Sequence, residues 1–396
     1  MTRDSAPLRA AAAAGWGVFV VANAQRIDVV PFFNDLRALY HVEYAAVGGL
    51  LSAYLLGYVL AQIPAGLAAD NFPTRRVTLA GLAAITAASA FFPLTASYWP
   101  AMLLRFAMGA SAAMLYSSTV KLVLAATPNR GAAMGALQSG AGTGMLVGLF
   151  LMPLLSQGAG VRAAFLALAA LSAVTWACAA AWLAPGTPAR AGAEPLLAQV
   201  GGIVGQRQFA AMVSCVFLAL FSAYGITAWL PTYLRNEFKF GTAAAGAVAS
   251  IINLGLIAAS PLAGTLSDRL GTRARVVLTG FALLCAAFAL LISVHSAAAV
   301  AASAALAGAG LALTLPILTT LTTDVFGIQR AGIAVSLNLA VGQVASTISG
   351  VLFGYLLDVT GSFPLLWTVA FAAALTGLGA ALRLSRMVEA PRPARG

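Results

Sequence analysis

Apolar run follows apolar run along this chain, each about as long as a bilayer is thick, and that limits what it can become. A spanning helix needs about 20 mainly apolar residues, and lipid leaves no backbone N–H or C=O unsatisfied. Runs of that length recur through all 396 residues, separated by short polar connectors. Alternation of apolar and polar residues is missing, which argues against a β-barrel. A soluble domain carries roughly 25% charged residues. Here 8% are charged and 61% hydrophobic, with a mean hydropathy of +0.92, so a soluble fold of this size is excluded.

The runs place twelve helices at 11–33, 45–69, 76–97, 99–126, 131–155, 161–184, 208–231, 242–267, 273–294, 297–322, 331–356 and 363–385. The expected fold class is all-α and integral to the membrane. The longest connector, 185–207, is rich in Pro, Gly and Ala. It reads as a cytoplasmic linker between an N-terminal six-helix bundle, 1–184, and a C-terminal one, 208–396. The first run lacks a following small-residue cleavage site and reads as a retained helix.

The net charge of +11 belongs to topology, not to nucleic acid. With the N-terminus in the cytoplasm, fifteen of the 22 basic residues fall on the cytoplasmic side, four outside and three within spans. That positive-inside asymmetry puts both termini in the cytoplasm. Arginine supplies 20 of the 22, and alanine is abundant. Such usage fits a GC-rich bacterial genome, and the expected location is the bacterial inner (plasma) membrane, multi-pass.

The two halves repeat at an offset of about 200 residues. "GLAADNFPTRR" (66–76) follows span two, and "GTLSDRLGTRAR" (264–275) follows span eight. Gly66 matches Gly264, Asp70 matches Asp268, which Arg269 follows, and the basic end Arg75 and Arg76 matches Arg273 and Arg275. A glycine, an acid one turn later and a basic cluster suit a tight cytoplasmic turn, and these residues are read as gate motifs. On span four stands "RFAMG", Arg105 to Gly109.

Taken together, the sequence resembles the major facilitator superfamily along its whole length. The second loop copy fits the superfamily's G-x-L-a-D-r-x-G-r-r pattern, the first departs at Asn71 and Pro73, and "RFAMG" resembles its R-x-x-x-G motif. The resemblance implies two pseudo-symmetric six-helix bundles around a central cavity, rocking to open it to either side. The exporter branch carries a G-P-x-x-G-G type motif on span five. "GAGTGMLVG" (140–148) lacks the proline, which counts against a drug:proton antiporter. "RIDVVP" and "GYVLAQIPAGLAAD" are similar to anion:cation symporters and other organic-anion carriers, although the Glu-Ala pair common on their span four is replaced by Met114 and Leu115.

Charge inside the membrane is expensive, on the order of 2.5–3.5 kcal/mol per residue on insertion scales. The spans hold Arg26, Arg105 and Lys121 against Asp28 alone. A guanidinium holds a carboxylate in a two-bond fork, so Arg26 reads as a hook for an organic anion. Asn23 shares its helix face. Asp28, two residues on, points away from Arg26. It is either a charge partner, with Arg105 as the candidate, or a proton-titrating site, which leaves room for a coupled proton.

Lys121, close to the inner end of span four, either lines the cavity with Tyr116 or snorkels to the interface. Tyr54 and Tyr58 form a polar-tipped stripe with Gln62 on span two. The second half offers Tyr224, Asn253, Asn338 and Gln343. These residues complete the expected substrate-binding set, cationic in the first half and neutral in the second. Gly140, Gly144 and Gly148 have small-xxx-small spacing and are expected where the halves meet or slide.

Phosphate loops, nucleotide motifs, metal-ligand clusters and convergent nucleophile–base sets do not occur in the sequence. An enzyme, a metal site and a cofactor are therefore not expected. The leading reading is a secondary carrier for uptake of a small organic anion, probable chemistry a carboxylate, by alternating access. The alternative is a proton-driven exporter of drugs or metabolites, cationic or neutral. One chain carries a full cavity, so a monomer in the lipid bilayer is expected.

Overall fold

The computed structural model describes residues 5–126, 130–183, 201–270 and 272–389. Its regular structure is helical. Helix α1 spans Ser5–Ile27, α2 Phe33–Tyr40, α3 Tyr44–Asn71, α4 Thr74–Phe91 and α5 Tyr98–Ala126. Then come α6 Arg130–Leu146, a π turn Val147–Leu151, α7 Met152–Ala159 and α8 Val161–Trp182. The second half holds α9 Arg207–Glu237, α10 Thr242–Leu270 and α11 Arg273–Ser293. A helical run then extends over Ala297–Thr360, broken at Gly327, whose φ of 73° no α-helix holds. It yields α12 Ala297–Gly327 and α13 Ile333–Thr360, before α14 Phe363–Glu389.

Among the described residues, ten helical segments are long and apolar enough to cross a membrane. Most follow the apolar runs closely. Helix α1, which is not one of the ten, departs from the first run: it stops at Ile27 and the chain turns at Asp28 and Val29 before a 3-10 segment, Val30–Phe32. Two β-branched residues and Pro31, which has no N–H to give the Ile27 carbonyl, disfavour continuing the α-helix there. Asp28 therefore lies in a turn, not on a helix face.

The chain divides into two compact units: Met1–Gly192 with Pro231–Ser250, and Ala193–Leu230 with Ile251–Gly396. The boundary cuts through two helices, α9 at Pro231 and α10 after Ser250. In unit 1, glycines bring backbones together. Gly57 lies against the Phe106 carbonyl and Gly109 against that of Tyr54, so α3 and α5 meet with no side chain between them. In unit 2, Gly255 meets Ala305 and Gly308 meets Ile252 in the same manner. Gly140, Gly144 and Gly148 lie on the carbonyls of Trp16, Val20 and Ala24. They pack α6 and its π turn onto α1 inside unit 1, and this corrects the expectation that they mark the meeting of the halves.

Candidate functional site

Arg105 sits two turns into α5 with its side chain fully buried. Its Nη1 donates to Asp28 Oδ1 at 2.8 Å and to the Gln25 carbonyl at 2.7 Å. Its Nε reaches the Leu50 carbonyl and its Nη2 that of Arg26. The guanidinium lies 4.9 Å from the Tyr54 ring centre and 5.9 Å from that of Phe92. The turn at Asp28 makes this knot, since ending α1 early frees the carbonyls of Gln25 and Arg26 to accept from a neighbouring helix. Tyr54, also buried, donates to the Ala22 carbonyl at 2.8 Å. Arg105, Asp28 and Tyr54 thus bind α1, α3 and α5 together, and the structure encloses Arg105 instead of offering it to a substrate.

Arg26 points elsewhere. It is half-buried, and its guanidinium lies 5.6 Å from the Tyr58 ring centre. Asn23, one turn earlier and also half-buried, donates to the Phe19 carbonyl at 2.9 Å. Phe19 stacks obliquely on Tyr116, centroids 5.4 Å apart. Of the expected set, Asn23, Arg26, Tyr58 and Tyr116 therefore fall along neighbouring faces of α1, α3 and α5. Trp16 continues that face of α1, and its Nε1 donates to Ser139 Oγ at 3.2 Å. Sequence reasoning passed over Trp16 and Phe19 as ordinary apolar residues, although 16, 19, 23 and 26 recur at helical spacing.

Lys121 pairs with Asp70 at the motif end of α3, away from the Arg26 face. Arg75 donates to the Ala180 carbonyl at 2.6 Å, tying α4 to the end of α8, while Arg76 is exposed. Gly66 has open space around its Cα. In unit 2, Arg273 pairs with Asp324. The side chains of Gly264, Asp268 and Arg269 lie outside the described residues.

The four neutral candidates of unit 2 divide. Tyr224, Asn253 and Asn338 are buried, and Asn338 Nδ2 donates to Thr322 Oγ1 at 3.2 Å. Gln343 is half-buried. A further cluster escaped the sequence altogether. Arg235 pairs with Asp35 and donates to the Pro31 carbonyl at 3.2 Å. Beside it, Asn34 donates to Asn236 at 2.7 Å and Asn236 to Tyr44 at 2.9 Å. These contacts fasten the hairpin Pro231–Ser250 to the rest of unit 1. Among the described residues, no group of three or more His, Cys, Asp or Glu could hold a metal ion.

The Major Facilitator Superfamily profile matches residues 10–253 and 212–396, overlapping stretches that between them take in most of the chain. A probable sulfoacetate transporter of Cupriavidus necator is 24% identical over 391 residues, covering 92% of this chain and 90% of that protein. A chloroplastic probable anion transporter of Arabidopsis thaliana is 24% identical over 382 residues, covering 89% and 73%. Two solved structures share the fold. A variant of the nucleoside transporter NupG gives a TM-score of 0.82 at 11% identity, covering 94% of this chain and 99% of its own. A bacterial homologue of the human lysosomal transporter Spinster, inward-facing and unoccupied, gives 0.77 at 14% identity, covering 99% of each.

Proposed function

The chain belongs to the Major Facilitator Superfamily, and from that premise we propose that it is a secondary carrier that takes up a small organic carboxylate by alternating access. It is a transporter and not an enzyme. One observation carries the choice of an anion: Arg26 holds a half-buried guanidinium on a polar face of α1 that it shares with Asn23, inside a run read as spanning the membrane. Ionisable groups at such depth mark substrate paths by default. The relatives named as anion transporters support the same class. The exporter of cationic compounds needs acids facing its substrate, and the acid at this depth, Asp28, is committed to Arg105.

The proposal includes twelve spans, since α1 and α5 added to the ten candidate segments make that number. It includes two bundles related by the internal repeat, supported by the matching glycine contacts of α3 with α5 and of α10 with α12. A bacterial inner membrane with both termini cytoplasmic, a monomer and a coupled proton complete it.

The test is a thermal-shift screen of the purified carrier against mono- and dicarboxylates, neutral sugars and lipophilic cations, with Arg26→Gln alongside. Ligand at 100 times its dissociation constant stabilises the folded state by about 2.7 kcal/mol. Carboxylates are expected to raise the melting temperature of the wild type and not of Arg26→Gln. A shift by cations or sugars alone, or an unchanged response in the variant, would overturn the reading.

A further inference from the structure

The face of α1 that carries Arg26 has more on it than an anion hook needs. At 3.6 residues per turn, Trp16, Phe19, Asn23 and Arg26 lie within about 80° of one another, along about 15 Å of helix. A cation and an amide at membrane depth do not face hydrocarbon, so this stripe borders a polar path. Trp16, the exposed aromatic ring of the stripe, borders it too.

The aromatic rings at this face are fixed in place. Trp16 remains 38% exposed, yet its indole N–H is tied to Ser139 on α6 and its ring edge rests over Gly140. Tyr116 remains 39% exposed and is backed by Phe19, which is itself buried in a cluster with Val123 and Leu137. Tyr58 stands at the level of the Arg26 guanidinium. One end of the face is therefore cationic, and the length below it is walled by held aromatic rings with open faces. A lone carboxylate would use the first and leave the second idle.

We propose, resting on the reading of Arg26 as the anion hook, that the substrate is an aromatic carboxylate. Its carboxylate meets Arg26 and Asn23, and its ring lies along Tyr58 and Tyr116. Aromatic rings prefer offset or edge-to-face neighbours, an attraction that a saturated ring of the same size lacks.

Equilibrium binding to the purified full-length carrier decides this with 3-phenylpropanoate, 3-cyclohexylpropanoate, acetate and sulfoacetate. The phenyl acid is expected to bind about three- to tenfold more tightly than its cyclohexyl counterpart, and more tightly than either small anion. Tyr116→Leu should shrink that preference, and Tyr116→Phe should retain it. Equal affinity for phenyl and cyclohexyl acids, or tighter binding of acetate or sulfoacetate, overturns the proposal, and the wild type alone suffices to show it. Arg26→Gln separates the two levels. If it loses every acid while the wild type ignores aromaticity, the hook stands and the aromatic wall falls. If it binds all acids like the wild type, the hook itself falls.

Discussion

At Arg105 the chain makes four hydrogen bonds to its own groups, one of them to a carboxylate, in a site closed to solvent. At Arg26, one residue before α1 ends, the same side chain is half-buried over a tyrosine ring. For Arg105, the turn at Asp28 delivers one acid and two carbonyls to α5. Removing one partner of a buried pair strands the other and costs about 3–5 kcal/mol, whereas replacing both with apolar residues can be near neutral. Asp28→Leu should therefore lower the melting temperature sharply, and Asp28→Leu with Arg105→Met should recover most of the loss. Thermal unfolding in detergent checks this, and a double variant no better than the single one would count against the pair as the source. The sequence showed that Asp28 and Arg26 could not pair on one helix and named Arg105 as a partner. It could not show that Asp28 leaves the helix, because that depends on Val29, Val30 and Pro31 acting together.

Helices were the legible part. A run of about 20 apolar residues has few other fates in lipid, and α3, α5, α8 and α11 lie within a few residues of their apolar runs. Packing was less legible, since small-residue spacing shows that helices approach closely but not which ones. Gly140, Gly144 and Gly148 illustrate this by facing α1. At the α3–α5 crossing, a Cβ on Gly57 or Gly109 would collide with a backbone carbonyl of the other helix, which no rotamer change relieves. Overpacking of this kind costs about 1–3 kcal/mol, occasionally more. Gly57→Ala and Gly109→Ala should each reduce the folded yield and melting temperature, and Gly66→Ala, with nothing within 4 Å, should not. Fluorescence-detected size exclusion of the three variants measures the contrast.

For the molecule as a whole, the bias of basic residues sets an expected orientation, with both termini cytoplasmic. A C-terminal fluorescent-protein fusion should be bright and an alkaline-phosphatase fusion silent; the reverse pattern would turn the chain over. What the sequence hid at this scale is the company that residues 231–250 keep. Asp35, in the first turn of α2, and Arg235, in the last turn of α9, are far apart along the chain, so only folding reveals the pair. That has a practical consequence for anyone building hybrids of this carrier with a relative. A crossover placed at the linker would draw Asp35, Asn34 and Tyr44 from one parent and Arg235 and Asn236 from the other, so each hybrid would have to rebuild the hydrogen bonds by luck. Carrying Pro231–Ser250 along with the first half keeps those partners in a single lineage, and the natural seams for exchange then lie inside α9 and α10.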